Sequence, residues 1–261
     1  MVRKEKANRP PASAPGFTLI EFLVVVAVMV AMYSLVIPAI TGVKGANDLT
    51  SNAYQIQGAL EVARTYAVGN NTYTWVGFFE QDASKLSSTP AIAGNGRLVI
   101  SIVASNDGAS IYSKAQASGV TPGTQVIPGS RLVQVNKLIK LDGIHVFDAT
   151  SRKVGARPAN IISNKYLVGL SSASSSPVLF SFQYPLSGTA SYTFGSRPAM
   201  SGIVQFDPQG EAMSECGPMT GPAPSYEIAI EPAHGNAVTS SSNVIALDVS
   251  GLTGEVTMYR P

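Results

Sequence analysis

Residues 17–40, FTLIEFLVVVAVMVAMYSLVIPAI, carry one charge in 24 positions, Glu21. As an α-helix this run would extend roughly 36 Å at about 1.5 Å per residue. That is enough to cross a hydrocarbon layer of about 30 Å with some tilt. β-Branched residues are frequent in it, but a segment in lipid must satisfy every backbone group internally, and this demand selects a helix whatever the propensities.

The flanks orient the run. Residues 1–16 hold Arg3, Lys4, Lys6 and Arg9 against Glu5, a net charge of +3 in a chain whose total is +2. Basic residues only on the N-terminal side place that end in the cytoplasm and the remainder outside. A cleavable secretory signal would have a shorter apolar region ending in an A-x-A-like site, and none follows here. A plain anchor leaves Glu21 unexplained, because an acid within a membrane helix is costly and commonly functional. Pro38, near the outer end, can kink the helix or loosen its hydrogen bonding.

The junction Gly16-Phe17-Thr18-Leu19-Ile20-Glu21, behind a short basic leader and ahead of an unbroken apolar run, resembles the cleavage and methylation signal of type IV prepilins and type II secretion pseudopilins. The resemblance implies cleavage after Gly16 and N-methylation of Phe17 by a membrane prepilin peptidase/methyltransferase. Glu21 falls on the family's acidic position, the fifth residue of the mature chain, and Pro38 on its helix-kinking proline. The physics fits: a carboxylate held in the membrane needs a cationic partner. The freed α-amine of Phe17, in the same chain or a neighbouring subunit, would supply it. The implied partners are other pilins or pseudopilins in a filament, the inner membrane and a secreted substrate.

Beyond the run, Ile56, Leu60, Ala63 and Ala67 recur at helical spacing and predict an amphipathic continuation through 41–71. Gly69-Asn70-Asn71 is its stop, and Gly42, Gly45 and Asn47 predict an interruption between the halves. After residue 71 the pattern turns to short β-branched and aromatic runs. Strands are predicted at 72–79, 97–104, 131–135, 144–148, 178–184, 202–206, 226–231, 243–249 and 254–259. The helix around 59–68 and the closing strands are similar to the H-type minor pseudopilin and T-type minor pilin. The expected organisation is therefore a leader over 1–16, a transmembrane helix over 17–40, its amphipathic continuation, and an extracytoplasmic β-rich domain over 72–261. The fold class is α+β and pilin-like, with a long N-terminal helix on an antiparallel sheet. The expected place is the inner membrane, single-pass, with the N-terminus cytoplasmic.

Chemistry-bearing patterns are sparse. Charged residues make up 13% of the chain, about half the usual share, which argues against a highly charged disordered tail or an ordinary basic nucleic-acid binder. One cysteine, Cys216, permits no disulfide framework, and His145 and His234 are too far apart for a metalloprotease motif. The Ser171–Ser176 run reads as a loop, with no G-x-S-x-G motif and no histidine placed as a base. No catalytic residue, cofactor or metal is expected. Asp207, Glu211 and Glu215 are candidate calcium ligands by residue type, but Pro208 and their loose spacing do not match a twelve-residue calcium loop. The basic block Arg131, Lys137, Lys140, Arg152, Lys153, Arg157 and Lys165 offers an alternative role, DNA or surface binding by a minor pilin of a type IV pilus or DNA-uptake system. Lysines and arginines on half-exposed strands are more often solvated surface.

Overall fold

The structure, a computed structural model, describes residues 18–86, 88–109, 126–147, 165–167, 181–195, 201–214, 225–238 and 243–260; within α1 (Leu19–Gly69) the side chains of 35–47 are left out. The chain divides into two compact units, Met1–Lys44 and Gly45–Pro261. Residues 42–47 are helical, so the expected interruption at Gly42, Gly45 and Asn47 is absent from the secondary structure. Helical hydrogen bonding there outweighs the intrinsic cost of two glycines, about 1 kcal/mol each.

In the first unit the described part of α1 is apolar on every side. Leu19, Ile20, Phe22, Leu23, Met29, Val30 and Met32 are all exposed. Among the described residues no helix is long and apolar enough to cross a membrane. The described side chains of the run stop at Ser34, inside the predicted span 17–40.

The second unit is α+β. After α1 come β1 (Thr74–Asp82), β2 (Gly96–Ser105), a 3-10 turn at Gly129–Arg131, β3 (Leu132–Gln134), β4 (Ile139–Phe147) and β5 (Lys165–Leu167). Then follow β6 (Phe182–Tyr184), β7 (Tyr192–Phe194), β8 (Ser201–Phe206), β9 (Ala212–Ser214), β10 (Ser225–His234), β11 (Ala237–Val238), β12 (Ile245–Ser250) and β13 (Val256–Tyr259). The main sheet runs β13-β12-β10-β4-β2-β1-β8-β9, antiparallel along that path, with β3, β5 and β11 attached to its sides. Strands β6 and β7 form a separate hairpin.

The last turns of α1 lie against the concave face of this sheet. Leu49, Ala53, Ile56, Leu60, Ala63 and Ala67 are buried along one face, which includes all four residues expected from the spacing. Alanines at three of those six positions let the backbones approach closely. Larger residues from the sheet fill the remaining volume: Val76, Phe78, Leu98, Ile100, Phe206, Tyr226, Ile228 and Leu247. Each such aliphatic or aromatic side chain stabilises by about 1.5–3 kcal/mol. Polar side chains fix the helix at both ends and in the middle. Asn52 donates to the Asp142 carbonyl at 3.1 Å, Gln57 to the Val256 carbonyl at 3.1 Å, and Thr74 to the Ala63 carbonyl at 3.0 Å. The helix stops where Asn71 takes a left-handed conformation (φ 48°), the expected terminator acting one residue beyond its asparagine partner.

The sheet is curled until its two ends touch. The Ala212 N–H donates to the Gly251 carbonyl at 2.9 Å, joining the first residue of β9 to the turn after β12. Gly254 has φ +65°, and a Cβ there would sit 2.2 Å from the Gly210 carbonyl oxygen and 3.0 Å from Arg64 Cδ. Only glycine allows this closure.

The opposite face carries an aromatic layer. Trp75, Phe79, Val99, Val103 and Ile203 of the sheet pack against Phe182, Tyr192 and Phe194 of the β6–β7 hairpin. Phe79 meets Tyr192 edge-on at 5.7 Å between centroids, and Trp75 Nε1 donates to Gln205 Oε1 at 3.0 Å. Strand β1 is thus buried on both faces, which explains why all nine of its residues are buried and why polar–apolar alternation is missing from its sequence.

Candidate functional site

Two groups of residues carry the chemistry, one at the start of α1 and one inside the sheet. At the first, Thr18 and Glu21 form a reciprocal cap. Glu21 Oε2 accepts from the Thr18 backbone N–H at 2.9 Å and from Thr18 Oγ1 at 2.7 Å, while the Glu21 N–H donates to Thr18 Oγ1 at 3.3 Å. This is a capping box, two orphan donors at a helix start satisfied by two side chains. The signal, T-x-x-E ahead of an apolar run, stands in the sequence inside the prepilin-like junction. The carboxylate of Glu21 is therefore turned back toward the N-terminal end of the helix. Gly16 and Phe17 lie outside the described residues, and Pro38 lies within α1 with its side chain undescribed.

The second group was not anticipated. His145, on β4, has its Nδ1 2.8 Å from Glu80 Oε1, and Glu80 is completely buried. The same oxygen accepts the Gly96 N–H at 3.1 Å. Burial pushes the Glu80 carboxyl above its ordinary value, opposed by the His145 hydrogen bond and charge and by the Gly96 and Val146 N–H groups. Glu231 lies opposite His145 in the β4–β10 register and Glu227 opposite Asp248 in the β10–β12 register, all three acids buried. No sequence spacing links Glu80 to His145; only the pairing of β1, β2 and β4 brings them together.

Of the basic block, Arg131, Lys137, Lys140 and Lys165 lie among the described residues. Arg131 Nη2 pairs with Asp107 Oδ2 at 3.1 Å. The Asp107 carboxyl is held down at about 2 by hydrogen bonds from Ser105, the Ala109 N–H and Arg131. Lys137 is exposed, and the exposed Lys140 places its Nζ 5.6 Å from the Tyr192 ring centre. Arg152, Lys153 and Arg157 lie outside the described residues, as do Cys216, Glu215 and the Ser171–Ser176 run. Asp207 Oδ1 accepts the Gln209 and Glu211 N–H groups at 2.9 and 2.8 Å, so its carboxylate closes the turn before β9. Among the described residues no cluster of three or more potential metal ligands is present.

A long helix whose C-terminal part lies on a curled antiparallel sheet is an architecture compatible with a pilin. The chain is also similar to the type IV wide pilus major component PilA4 of Thermus thermophilus, at 38% identity over 63 residues, 24% of this chain and 47% of that protein. The chain thus spans about half the length of the curated relative it matches. The likeness supports a relationship to type IV pilins. No family model matches, and no solved structure matches.

Proposed function

We propose that this chain is a prepilin-like structural subunit of a type II secretion or type IV pilus-like filament, and not an enzyme. A membrane peptidase cleaves it after Gly16 and methylates Phe17, and the single-pass precursor rests in the inner membrane with its sheet domain outside. The observation that carries this reading is the start of α1: a helix apolar on all sides, capped by an acid. An all-round apolar helix needs lipid or other helices around it. The T-x-x-E cap keeps the Glu21 carboxylate within reach of the chain's N-terminal side, where cleavage would create the Phe17 ammonium. That pair would offset the charge that lipid disfavours. The likeness to a pilus component supports assembly with other pilins. The H-type minor pseudopilin is the member that the helix over 59–68 and the closing strands fit, at or near the tip of a short filament that moves a secreted substrate.

Intact mass of the chain purified from a host with an active prepilin peptidase tests the reading. Loss of residues 1–16 and gain of one methyl group is the expected result. A chain that retains Met1 in that host, and is unchanged from a peptidase-deficient one, overturns it.

A further inference from the structure

The Glu80–His145 contact stands at a break in the sheet. Strand β2 begins at Gly96, which is opposite Ile144 in β4, with a register shift immediately after it. Residues 145–147 therefore have no β2 residue beside them, while on their other side they pair with β10 at Ala229–Glu231. The Glu80 carboxylate occupies that position instead, accepting from Gly96 and meeting His145. Gly96 has φ +99°, and a Cβ there would lie 1.8 Å from the Gly235 carbonyl oxygen, so the site has no room for a larger residue or a different backbone. One buried carboxylate thus ties β1 and the start of β2 to the part of β4 that carries β10, β12 and β13.

We propose that Glu80 and His145 form a proton-operated clasp across the middle of the sheet, closed when the pair shares one proton and so carries no net charge, and loosened when that proton is lost or a second one is added. The physical basis is net charge. Glu80 is fully buried and His145 is 17% exposed on its side chain. In such surroundings an uncompensated charge is costly and a neutral pair is not. With one proton to neutralise Glu⁻ and a neutral imidazole between them, the pair has no net charge. Removing it leaves a buried carboxylate; adding another leaves a buried imidazolium beside a neutral acid.

The titratable and charged groups around the pair come from β1, β2, β4 and β10. Glu231 lies opposite His145 in the β4–β10 register and is buried. On β2, Arg97 is taken by Asp142 of β4, on the far side of the register shift. Asp82, two residues along β1, accepts from Ser84 and lies below its ordinary range through that bond. His234, at the end of β10, is exposed. The rise in the Glu80 carboxyl agrees with the geometry: as pH climbs through the raised value, the stability contributed by the held proton is lost.

The test is hydrogen exchange of the full chain in detergent micelles from about pH 4 to about pH 9, corrected for intrinsic rates. The peptides to follow cover 144–147 and 225–234, with those in 98–103 as the reference. Protection in the first two should peak at intermediate pH and fall about tenfold toward each end, with the reference unchanged. Glu80→Gln keeps an oxygen for Gly96 but cannot ionise, so it should abolish the alkaline loss and keep the acid loss. His145→Gln should do the reverse. Wild-type protection that is flat with pH, or loss on both arms persisting in both variants, overturns the proposal. Should either variant fail to fold, the imidazole resonances of wild-type His145 decide the matter. They must titrate in step with exchange of the 144–147 amides, and titration with no change in protection overturns the proposal equally.

Discussion

The aromatic layer behind the sheet can be challenged at one atom. Gly77 of β1 sits beneath the β6–β7 hairpin, and a Cβ there would lie 2.6 Å from Phe182 Cζ, 2.6 Å from Phe194 Cγ and 2.7 Å from Phe194 Cβ. Carbon atoms rest about 3.5–4.0 Å apart, so Gly77→Ala forces the hairpin outward by about 1 Å. Part of that displacement falls on the backbone of β7, because one of the clashing atoms is a Cβ, which no rotamer change can move. Overpacking of this kind costs about 1–3 kcal/mol. For a domain of this size each kcal/mol lowers Tm by about 2–4 °C, giving an expected fall of about 2–12 °C. The chain supplies its own reporter, since Trp75 is its single tryptophan and lies in this layer, bonded to Gln205. Thermal unfolding followed by Trp75 emission should show both the lower midpoint and an altered native spectrum. The control is the same substitution elsewhere. Gly58, on the exposed side of α1, has nothing within 4 Å of an added Cβ. Gly58→Ala should therefore raise stability by about 0.5–1 kcal/mol through helix propensity. If both variants move Tm in the same direction, or Gly77→Ala leaves the Trp75 spectrum untouched, the hairpin does not pack on β1 as described.

Other outcomes follow from the same contacts. Leu60→Ala, at the centre of the face between α1 and the sheet, should cost about 2–5 kcal/mol in denaturant unfolding, since the surrounding strands cannot collapse onto the helix. Asp107 is held down at about 2, so its contribution is complete above the ordinary aspartate range and fades as pH falls from about 4 toward 2. A pH series of Tm values should show this acid loss in the wild type and a shallower one in Asp107→Asn. Under the proposed function, Glu21→Ala should still be processed and membrane-bound but fail to enter filaments in a pull-down of assembled subunits. Normal incorporation would count against the role given to Glu21.

Legibility in the sequence depended on whether an element answers to one neighbour or to several. The buried face of α1 was readable because one sheet covers it and four residues, Ile56, Leu60, Ala63 and Ala67, keep helical period. Strand β2 was readable from its apolar run. Strand β1, predicted over 72–79, runs on to Asp82, because the polar residues Glu80, Gln81 and Asp82 end the apolar run in the sequence and yet are buried. Their burial is set by partners on β2, β4 and β7 that no local pattern encodes. Strand β10 likewise continues through Pro232 to His234, beyond the predicted 231. Pro232 lies opposite Ile144 near the end of the β4–β10 ladder, where a missing N–H is tolerated. The three-residue strand Tyr192–Phe194 was missed because so short a run has no period. Among candidate site residues, Glu21 was visible from its isolation in an apolar run. The Glu80–His145 pair was not, since 65 positions separate its members.

The closed curl of the sheet has a consequence for the order in which the molecule is made. Gln57 is bonded to Val256, 199 residues later, and Arg260 reaches back to Thr50 at 2.5 Å across 210 residues. The strands that complete the groove around α1 are thus synthesised long after the helix itself. Until β12 and β13 arrive, the apolar side of residues 49–67 is a groove filler without its far wall. Contacts so distant in sequence form slowly, and an exposed apolar helix is prone to association meanwhile. A pulse-chase protease assay should find the 49–67 segment cleavable in nascent chains stopped before residue 245, and protected once β13 has emerged.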